Sequence, residues 1–560
     1  MRFETINMNP TYPKYFSPNN LRLAWERMIR SNGKDVKDIF GMEIYSVDLD
    51  KNLEKLSKLI LDGNYRPQRP FKYFEPKASK TQRTKTVLSI EDAIVFQAIA
   101  DKIAADKYRL LTENNSFVFG SVLHPEVEKG IALLDEAEPD FYFFEYYIPL
   151  YNKFLNSVNT EIENTAVRYK LETDITGFFD CIPHSRLLLT LHKFGVETDI
   201  LDLLGDCLNI WSGTRESITA GVGIPQGPAA SFFLANVFLT DLDYLISREG
   251  YTYYRYMDDV RIYEETEEKL TEALVLIDNF LKSRALSLNT KKTTIEEIGE
   301  NREALKNDLL GSASGSEGID YEADSNHKIY LTEQHPDNEQ EKKYIIRSIE
   351  GKELLKYCKK EIAEVEKNLL EKFELLGTEK FDYKSFNKDD KFHKQIIGLA
   401  FRWRNANRIL EEEEKPQLND KLIPIWLFCL EHYFWKANHF CWNLNLYGPR
   451  EDISKALQAL MPKFRIYEWV RFQMLSNMAT GQRFDASQLK ELFRLCTKEH
   501  SPLVRIGYYM ILLRQLSPAQ QLYASLKQAI RDDSEPYIKN RLSVFAGSGN
   551  SDNIKYWFGL

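Results

Sequence analysis

The sequence predicts an α+β amino-terminal half joined to an all-α carboxy-terminal half, and three features carry that expectation. Apolar and aromatic residues on either side of Asp258-Asp259, within Tyr253–Tyr263, read as two short strands with the aspartates at the tip between them. Upstream, Tyr169–Thr173 reads as a strand ending at Asp174, followed by a tight turn at Gly177 into a helix. From Leu422 onward, helix-period patterns follow one another, broken by Pro and Gly.

Adjacent carboxylates at a hairpin tip repel each other and lose hydration. A divalent cation relieves both costs, and hard oxygen ligands favour Mg²⁺, with Mn²⁺ as a substitute. The alternative is a solvated Asp-Asp turn. Between the two carboxylate sites lies Gly223-Ile224-Pro225-Gln226-Gly227-Pro228, a turn-rich loop, and then the apolar helix Phe232–Leu242.

In that order, Asp174, the Pro-Gln-Gly loop and Asp258-Asp259 resemble the A, B and C motifs of the reverse-transcriptase palm. Leu288-Asn289-Thr290-Lys291-Lys292-Thr293 resembles its motif D. Pro76-Lys77, Arg83 and Asp92–Gln97 resemble its fingers motifs, and Asn115–Gly120 the segment just after the fingers helix. The resemblance spans roughly residues 50–300 and implies the fingers and palm of a right-hand polymerase. It implies that Asp174 and Asp258 bridge two Mg²⁺ ions, with the Ile175 carbonyl as an extra ligand and Asp259 in a supporting role. Phe179, five residues after Asp174, matches the steric gate under the incoming sugar, so a preference for deoxynucleotides is expected. Gln226 and Gly227 are expected at the base pair or template, Lys77 and Arg83 at the triphosphate, and Lys292 at the pyrophosphate. One departure is Pro228-Ala229-Ala230, where many relatives carry Ser-Pro-Leu, which puts the handling of a template in question.

Charge is compatible with a localised rather than general affinity for nucleic acid. The 560 residues carry 74 basic and 83 acidic side chains, a formal net charge of -9. Yet Arg66, Arg69, Lys72, Lys77, Lys80, Arg83 and Lys85 cluster against Glu75 alone, a patch suited to phosphates. Tyr65, Phe71 and Tyr73 interleave with it and are candidates for stacking on bases. Six scattered cysteines without paired CxxC spacing argue against structural zinc and for a reducing compartment. With no signal segment and no apolar run near eighteen residues, a cytoplasmic location away from membranes is expected.

The chain divides into residues 1–165 (an extension and fingers), 166–297 (palm), 298–345 (a polar acidic insert) and 346–560 (a helical domain in place of a thumb). A charged helix is expected over 341–375, with Ile345, Ile349, Leu354, Leu355 and Ile362 in heptad-like phase. Pro502 and Pro536, 34 residues apart (536 − 502), each open a similar helical pattern, faintly like stacked HEAT pairs. A compact palm fused to such a region resembles the abortive-infection and related defence-associated reverse transcriptases of bacteria. That resemblance implies synthesis of DNA from dNTPs during phage infection, on an RNA template or on none. It also implies priming from a tyrosine, for which Tyr12, Tyr15 and Tyr556 are candidates on mobile segments, and homo-oligomers built through the helical region. The alternative is a retron-like or mobile-element enzyme copying a dedicated RNA. A catalytically dead scaffold is disfavoured by the intact Asp174, Phe179, Gln226, Asp258 and Asp259.

Overall fold

This computed structural model describes residues 10–30, 39–299 (less 115, 214 and 216–218), 302, 305, 329–334, 344–349, 351–374, 376, 392–410, 414–481, 483–517 and 519–542. Contacts group the chain into two units, one of residues 1–72 and 85–310, the other of 73–84 and 311–560.

The first unit opens with helices α1 (Tyr12–Phe16), α2 (Pro18–Arg30), α3 (Ile39–Val47) and α4 (Leu49–Leu61). Strands β1 (Phe71–Pro76) and β2 (Gln82–Val87) form a hairpin whose outer part, Tyr73–Thr84, groups with the second unit. Helix α5 (Ile90–Asp106) is capped by Ser89, whose hydroxyl accepts the Asp92 N–H, and is buried nearly all round. Helices α6 (Tyr108–Thr112) and α7 (Tyr147–Glu163) lead to strand β3 (Tyr169–Thr173) and the short helix α8 (Phe178–Cys181). Then come α9 (His184–Lys193), α10 (Thr198–Trp211) and α11 (Ala229–Arg248). Helix α11 is long and apolar enough to resemble a membrane span, but most of that span is packed into the core of this unit.

Strands β4 (Thr252–Tyr256) and β5 (Asp259–Glu264), helix α12 (Glu267–Ser283) and strand β6 (Thr294–Glu297) complete the unit. The sheet runs β4-β5-β3-β6, antiparallel throughout. Thr173 pairs with Val260 and Tyr256 with Asp259, so the end of β3 and the β4–β5 turn lie at the same edge of the sheet. The residue after Thr173 is Asp174, and the turn holds Met257 and Asp258.

Buried charges tie the helices together. Asp92 accepts hydrogen bonds from the Tyr65 hydroxyl (2.6 Å), the Gln68 N–H (2.9 Å) and the Trp211 indole (3.2 Å). Burial outweighs these donors and pushes its pKa up to about 6. An acid with a higher pKa folded than unfolded takes up a proton on folding. Its contribution to stability is therefore fully present below about pH 4 and is lost as the pH rises through 6. Accordingly, the stability advantage of the wild type over Asp92→Asn should shrink by about 2–3 kcal/mol between pH 4 and 6. Thermal melts of both proteins across that range measure it; an unchanging difference would refute the assignment.

The second unit contains the hairpin β7 (Ile329–Gln334) and β8 (Tyr344–Ile349), paired with Ile329 opposite Ile349. This corrects the helix expected from 341. The β-branched Ile345, Ile346 and Ile349 suit a strand, and helix α13 begins only at Gly351 and runs to Lys372. There follow α14 (Phe392–Ile409), α15 (Leu422–His432), α16 (Ala437–Asn445), α17 (Glu451–Leu460), α18 (Glu468–Gly481), α19 (Ala486–Lys498), α20 (Pro502–Gln515) and α21 (Gln521–Arg531).

Helices α13, α14, α16, α18 and α20 stack in succession as one layer, flanked by α15, α17, α19 and α21. Alternate stacking of this kind is what a solenoid of helix pairs requires. Side chains form rungs down the layer: Asn443 donates to the Ala400 carbonyl, Asn477 to that of Cys441 and Arg514 to that of Ala479. Asn443 and Asn477 stand 34 residues apart (477 − 443), the interval separating Pro502 and Pro536. Gly507 allows α18 and α20 to approach closely, since a Cβ there would meet the Leu475 Cβ at 2.9 Å.

Candidate active site

The site forms where three loops meet the end of the sheet. Asp174 follows β3 directly, and its carbonyl accepts the Asn289 N–H (2.8 Å). Ile175, which is buried, bridges to Leu288, and the Thr173 and Thr293 hydroxyls are 2.7 Å apart. The Leu288–Thr293 segment is thereby laid along the strand that carries Asp174. It delivers Lys292, whose ammonium forms an ion pair with one Asp174 oxygen. The other Asp174 oxygen is buried without a hydrogen-bond partner among the described residues.

Asp258 occupies the β4–β5 turn, and Asp259 is the first residue of β5 rather than a second turn residue. The Asp259 carboxyl is pushed up chiefly by burial; Arg261 opposes this, while Glu172, Asp258 and Asp174 add to it. The three aspartates therefore share one field. Among the described residues no three acidic, His or Cys side chains already stand close enough to enclose a metal ion. The donors nevertheless fit a hard divalent cation: an orphaned, buried carboxylate oxygen, a neighbour already neutralised by an ammonium, and two more carboxylates coupled to them.

The loop before α11 is zipped to the segment after Asp174. Ile224 donates to the Phe179 carbonyl and Gly223 to that of Ile182, each at 2.8 Å, and Val222 bridges Pro183. Gly223, at φ +88°, is obligatory here, because a Cβ would stand 3.0 Å from the Asp180 carbonyl oxygen. Phe179 is 9% exposed and packs edge-on against Phe232 with ring centroids 5.1 Å apart. Gln226 is half-buried, and its carbonyl accepts the Thr86 N–H (3.1 Å), tying the inner end of β2 to this loop. Gly227 follows at φ 152°. Asp174, Ile175, Phe179, Gln226, Gly227, Asp258, Asp259 and Lys292 all belong to the first unit.

Other expectations need correction. Tyr65, Phe71 and Tyr73 are buried and cannot stack on bases: Tyr65 holds Asp92, and Tyr73 stacks on Trp469 inside the second unit. Lys72 and Lys85 are buried as well. The Lys72 ammonium donates to the Gly213 carbonyl (2.7 Å), and burial lowers its pKa to about 8. The exposed cations of the cluster are Arg66, Arg69, Lys80 and Arg83, and Lys77 is half-buried. Lys77 and Arg83 lie on the part of the hairpin that belongs to the second unit. Tyr15 is no mobile arm residue: it is 2% exposed, and its hydroxyl donates to Glu197 (2.7 Å). Tyr12 packs half-buried against the same core, and Tyr556 lies outside the described residues.

Three residues beside the site were not anticipated. His184 is buried, with Nε2 2.6 Å from the Gly223 carbonyl oxygen. Arg261 approaches Asp259 at 3.8 Å and Glu172 at 3.7 Å, with its guanidinium over the Phe154 ring. Arg255 is fully buried behind the turn. Strand alternation offers a signal for Arg255, which shares the inward phase of Tyr253.

An antiparallel sheet backed by helices, with carboxylates at a strand end and in the adjoining turn, is the arrangement of a polymerase palm. Residues 124–329 match the family of reverse transcriptase (RNA-dependent DNA polymerase). The reverse transcriptase of retron Ec86 from Escherichia coli is 25% identical over 149 residues, covering 26% of this chain and 43% of the relative. That of retron Se72 from Salmonella heidelberg is 26% identical over 158 residues, covering 26% of this chain and 38% of the relative. The chain thus spans less than half the length of these curated relatives. A solved telomerase from Candida tropicalis, in complex with a telomeric RNA fragment, aligns over 80% of this chain and 65% of its own at 11% identity, with a TM-score of 0.32.

Proposed function

We propose that this protein is a DNA polymerase of the reverse-transcriptase type, extending a 3′-hydroxyl with dNTPs, and that it serves bacterial antiphage defence. The observation that carries the activity is the convergence of Asp174 and the Asp258-Asp259 turn at one sheet edge, beside the loop of Phe179 and Gln226. Asp174 and Asp258 would hold two Mg²⁺ ions, with the Ile175 carbonyl and Asp259 in support. When bound, the ions supply activation of the attacking oxygen and neutralisation of charge on the phosphates.

The side chains of this chain do the rest. Lys292, already paired with Asp174, is placed to turn its ammonium to the phosphate oxygens when a cation takes its place at the carboxylate. Phe179 lies under the position of the sugar and excludes a 2′-hydroxyl. Gln226 and Gly227 present backbone and amide to the base pair. Lys77 and Arg83 are the proposed triphosphate contacts.

Phe179→Ala should lower discrimination between dNTP and rNTP by about 10- to 100-fold, with the dNTP rate falling less. Competing incorporation of dNTP and rNTP measures it. Unchanged selectivity would return Phe179 to core packing alone.

The deciding experiment incubates purified protein with Mg²⁺ and each labelled dNTP, with and without RNA and primer, followed by denaturing gels before and after protease. Label freed from protein only by protease supports self-primed, template-free synthesis. Product only with RNA and primer supports a templated enzyme. No product under either condition overturns the polymerase. A second reading, a retron-like enzyme copying a dedicated RNA, is favoured by the likeness to the Ec86 and Se72 enzymes. RNA co-purifying with the protein and serving as its template would decide for it.

A further inference from the structure

The turn bearing Asp258 is an unfavourable piece of backbone. Met257 has φ +56°, a region that residues with a side chain avoid, and Ser121 has φ +53°. The Ser121 segment lies against this turn. A Cβ on Gly120 would stand 2.5 Å from the Met257 nitrogen, so only glycine fits there. Val118 bridges Arg255, and Phe119 donates to the Arg255 carbonyl (2.9 Å). Strained backbone of this kind persists only where its surroundings over-determine it, and it gathers at functional sites.

The groups that enforce it form one connected network. Arg255 is 1% exposed, and its Nη1 donates to the Met257 carbonyl (2.8 Å) and to Asn236 Oδ1 (2.9 Å). Its Nε and Nη2 donate to the two oxygens of Asp243, at 2.8 and 2.6 Å. The Tyr253 hydroxyl donates to the same carboxylate (2.9 Å), which is 2% exposed. Asn236 turns its amide nitrogen to the carbonyls of Gly120 (2.7 Å) and Ser121 (3.1 Å). One side chain on α11 therefore holds the loop in front of the turn, and the guanidinium it supports holds the turn itself.

We propose that Asn236, Asp243 and Arg255 are positioning residues: their network sets the direction in which the Tyr256–Asp259 turn presents Asp258 towards Asp174, and so tunes the affinity of the site for divalent cations. This rests on the polymerase reading for its purpose. The geometry further dictates which links matter. Asp243 neutralises and orients Arg255, and Arg255 has one amine left for Met257 and Asn236. Asn236 fixes both that amine and the Gly120–Ser121 backbone. A lysine at 255 would keep the charge pair with Asp243 but has no fork with which to reach Met257 and Asn236 as well.

The test uses the full chain and the metal alone as well as turnover. Mn²⁺ binding is measured by calorimetry, beside Tm, the Mg²⁺ concentration for half-maximal synthesis and the KM for dNTP. Asn236→Ala and Arg255→Lys leave the buried Arg–Asp charge balance intact and should fold. Both should weaken Mn²⁺ binding by about tenfold and raise the Mg²⁺ requirement by a similar factor, in the range seen when outer partners of metal ligands are removed. The dNTP KM should move less than about threefold, since the nucleotide contacts are elsewhere. Ile277→Val, buried in α12, serves as the control that lowers Tm alone. Mn²⁺ binding in both variants equal to that of the control, or no Mn²⁺ binding by the wild type that Asp258→Asn removes, overturns the proposal. Wild-type protein that binds Mn²⁺ through this turn but makes no DNA would sink the polymerase reading while the positioning role stood.

Discussion

Asp258→Asn should reduce DNA synthesis by at least about 10³-fold, the scale of loss expected when a group acting directly on transition-state charge is removed. Its effect on stability should be small or favourable. Asp259 already carries a raised pKa, to which Asp258 and Asp174 contribute repulsion, so removing one negative charge relieves its neighbours. Primer extension and a thermal melt of the same preparation read both effects. The double variant Asp258→Asn/Asp259→Asn should likewise abolish phage protection with protein abundance unchanged. Protection by that variant would show that synthesis is not the effector. A Tm drop matching the loss of synthesis would instead place Asp258 in the scaffold.

The second large effect lies far from the chemistry. Arg27 on α2 and Asp101 on α5 are 1% and 5% exposed and only 3.7 Å apart, and the Arg27 guanidinium sits 5.4 Å from the centre of the Phe143 ring. Burial pulls the arginine's pKa down and pushes that of the acid up to about 6, so desolvation outweighs their mutual attraction. Among the described residues, Arg27 Nε and Nη1 and Asp101 Oδ2 lack hydrogen-bond partners. Asp101→Ala strands a buried guanidinium and should cost about 3–5 kcal/mol. Replacing both, as Arg27→Met/Asp101→Leu, should be neutral or stabilising, because it removes both charges from a site where a single hydrogen bond, from Gln97 to Asp101 (2.8 Å), does not repay their desolvation. Chemical denaturation of the two variants distinguishes these outcomes. Equal losses in both would mean that the pair contributes through packing rather than charge.

What could be read in the sequence was local. The strand before Asp174, the turn at Asp258 and the apolar helix Phe232–Leu242 each follow from residue pattern within a dozen positions, and the structure has them there, the helix longer at both ends as Ala229–Arg248. What escaped depends on contacts distant in sequence. Tyr65, Phe71 and Tyr73 look like base-stacking residues beside a basic run, yet burial claims all three, along with Lys72 and Lys85. No local pattern separates a lysine facing phosphate from one whose ammonium meets the carbonyl of Gly213. Similarly, Ile345 and Ile349 satisfy a helical spacing, while their branching at Cβ suits the strand that pairs with Ile329–Gln334. Asn236 and Asp243 sit seven residues apart (243 − 236) on a helix whose buried positions are mostly apolar. A polar pair on one such face was the available sign of a buried network. The rungs of Asn443 and Asn477 repeat the interval that the two prolines already showed.

The order of strands in the sheet also has a consequence for how the chain folds. Thr173 and Val260 are paired neighbours but 87 residues apart in the chain (260 − 173). Closing a loop of that length costs about 4 kcal/mol of chain entropy before any contact across it forms. Helices α9, α10 and α11 lie inside the loop and have local contacts of their own, so they are expected to form ahead of the sheet. Asp174 and Asp258 then meet only when β5 docks against β3. A partly folded or nascent chain is consequently incapable of polymerisation, and recovery of activity on refolding should trail recovery of helical signal.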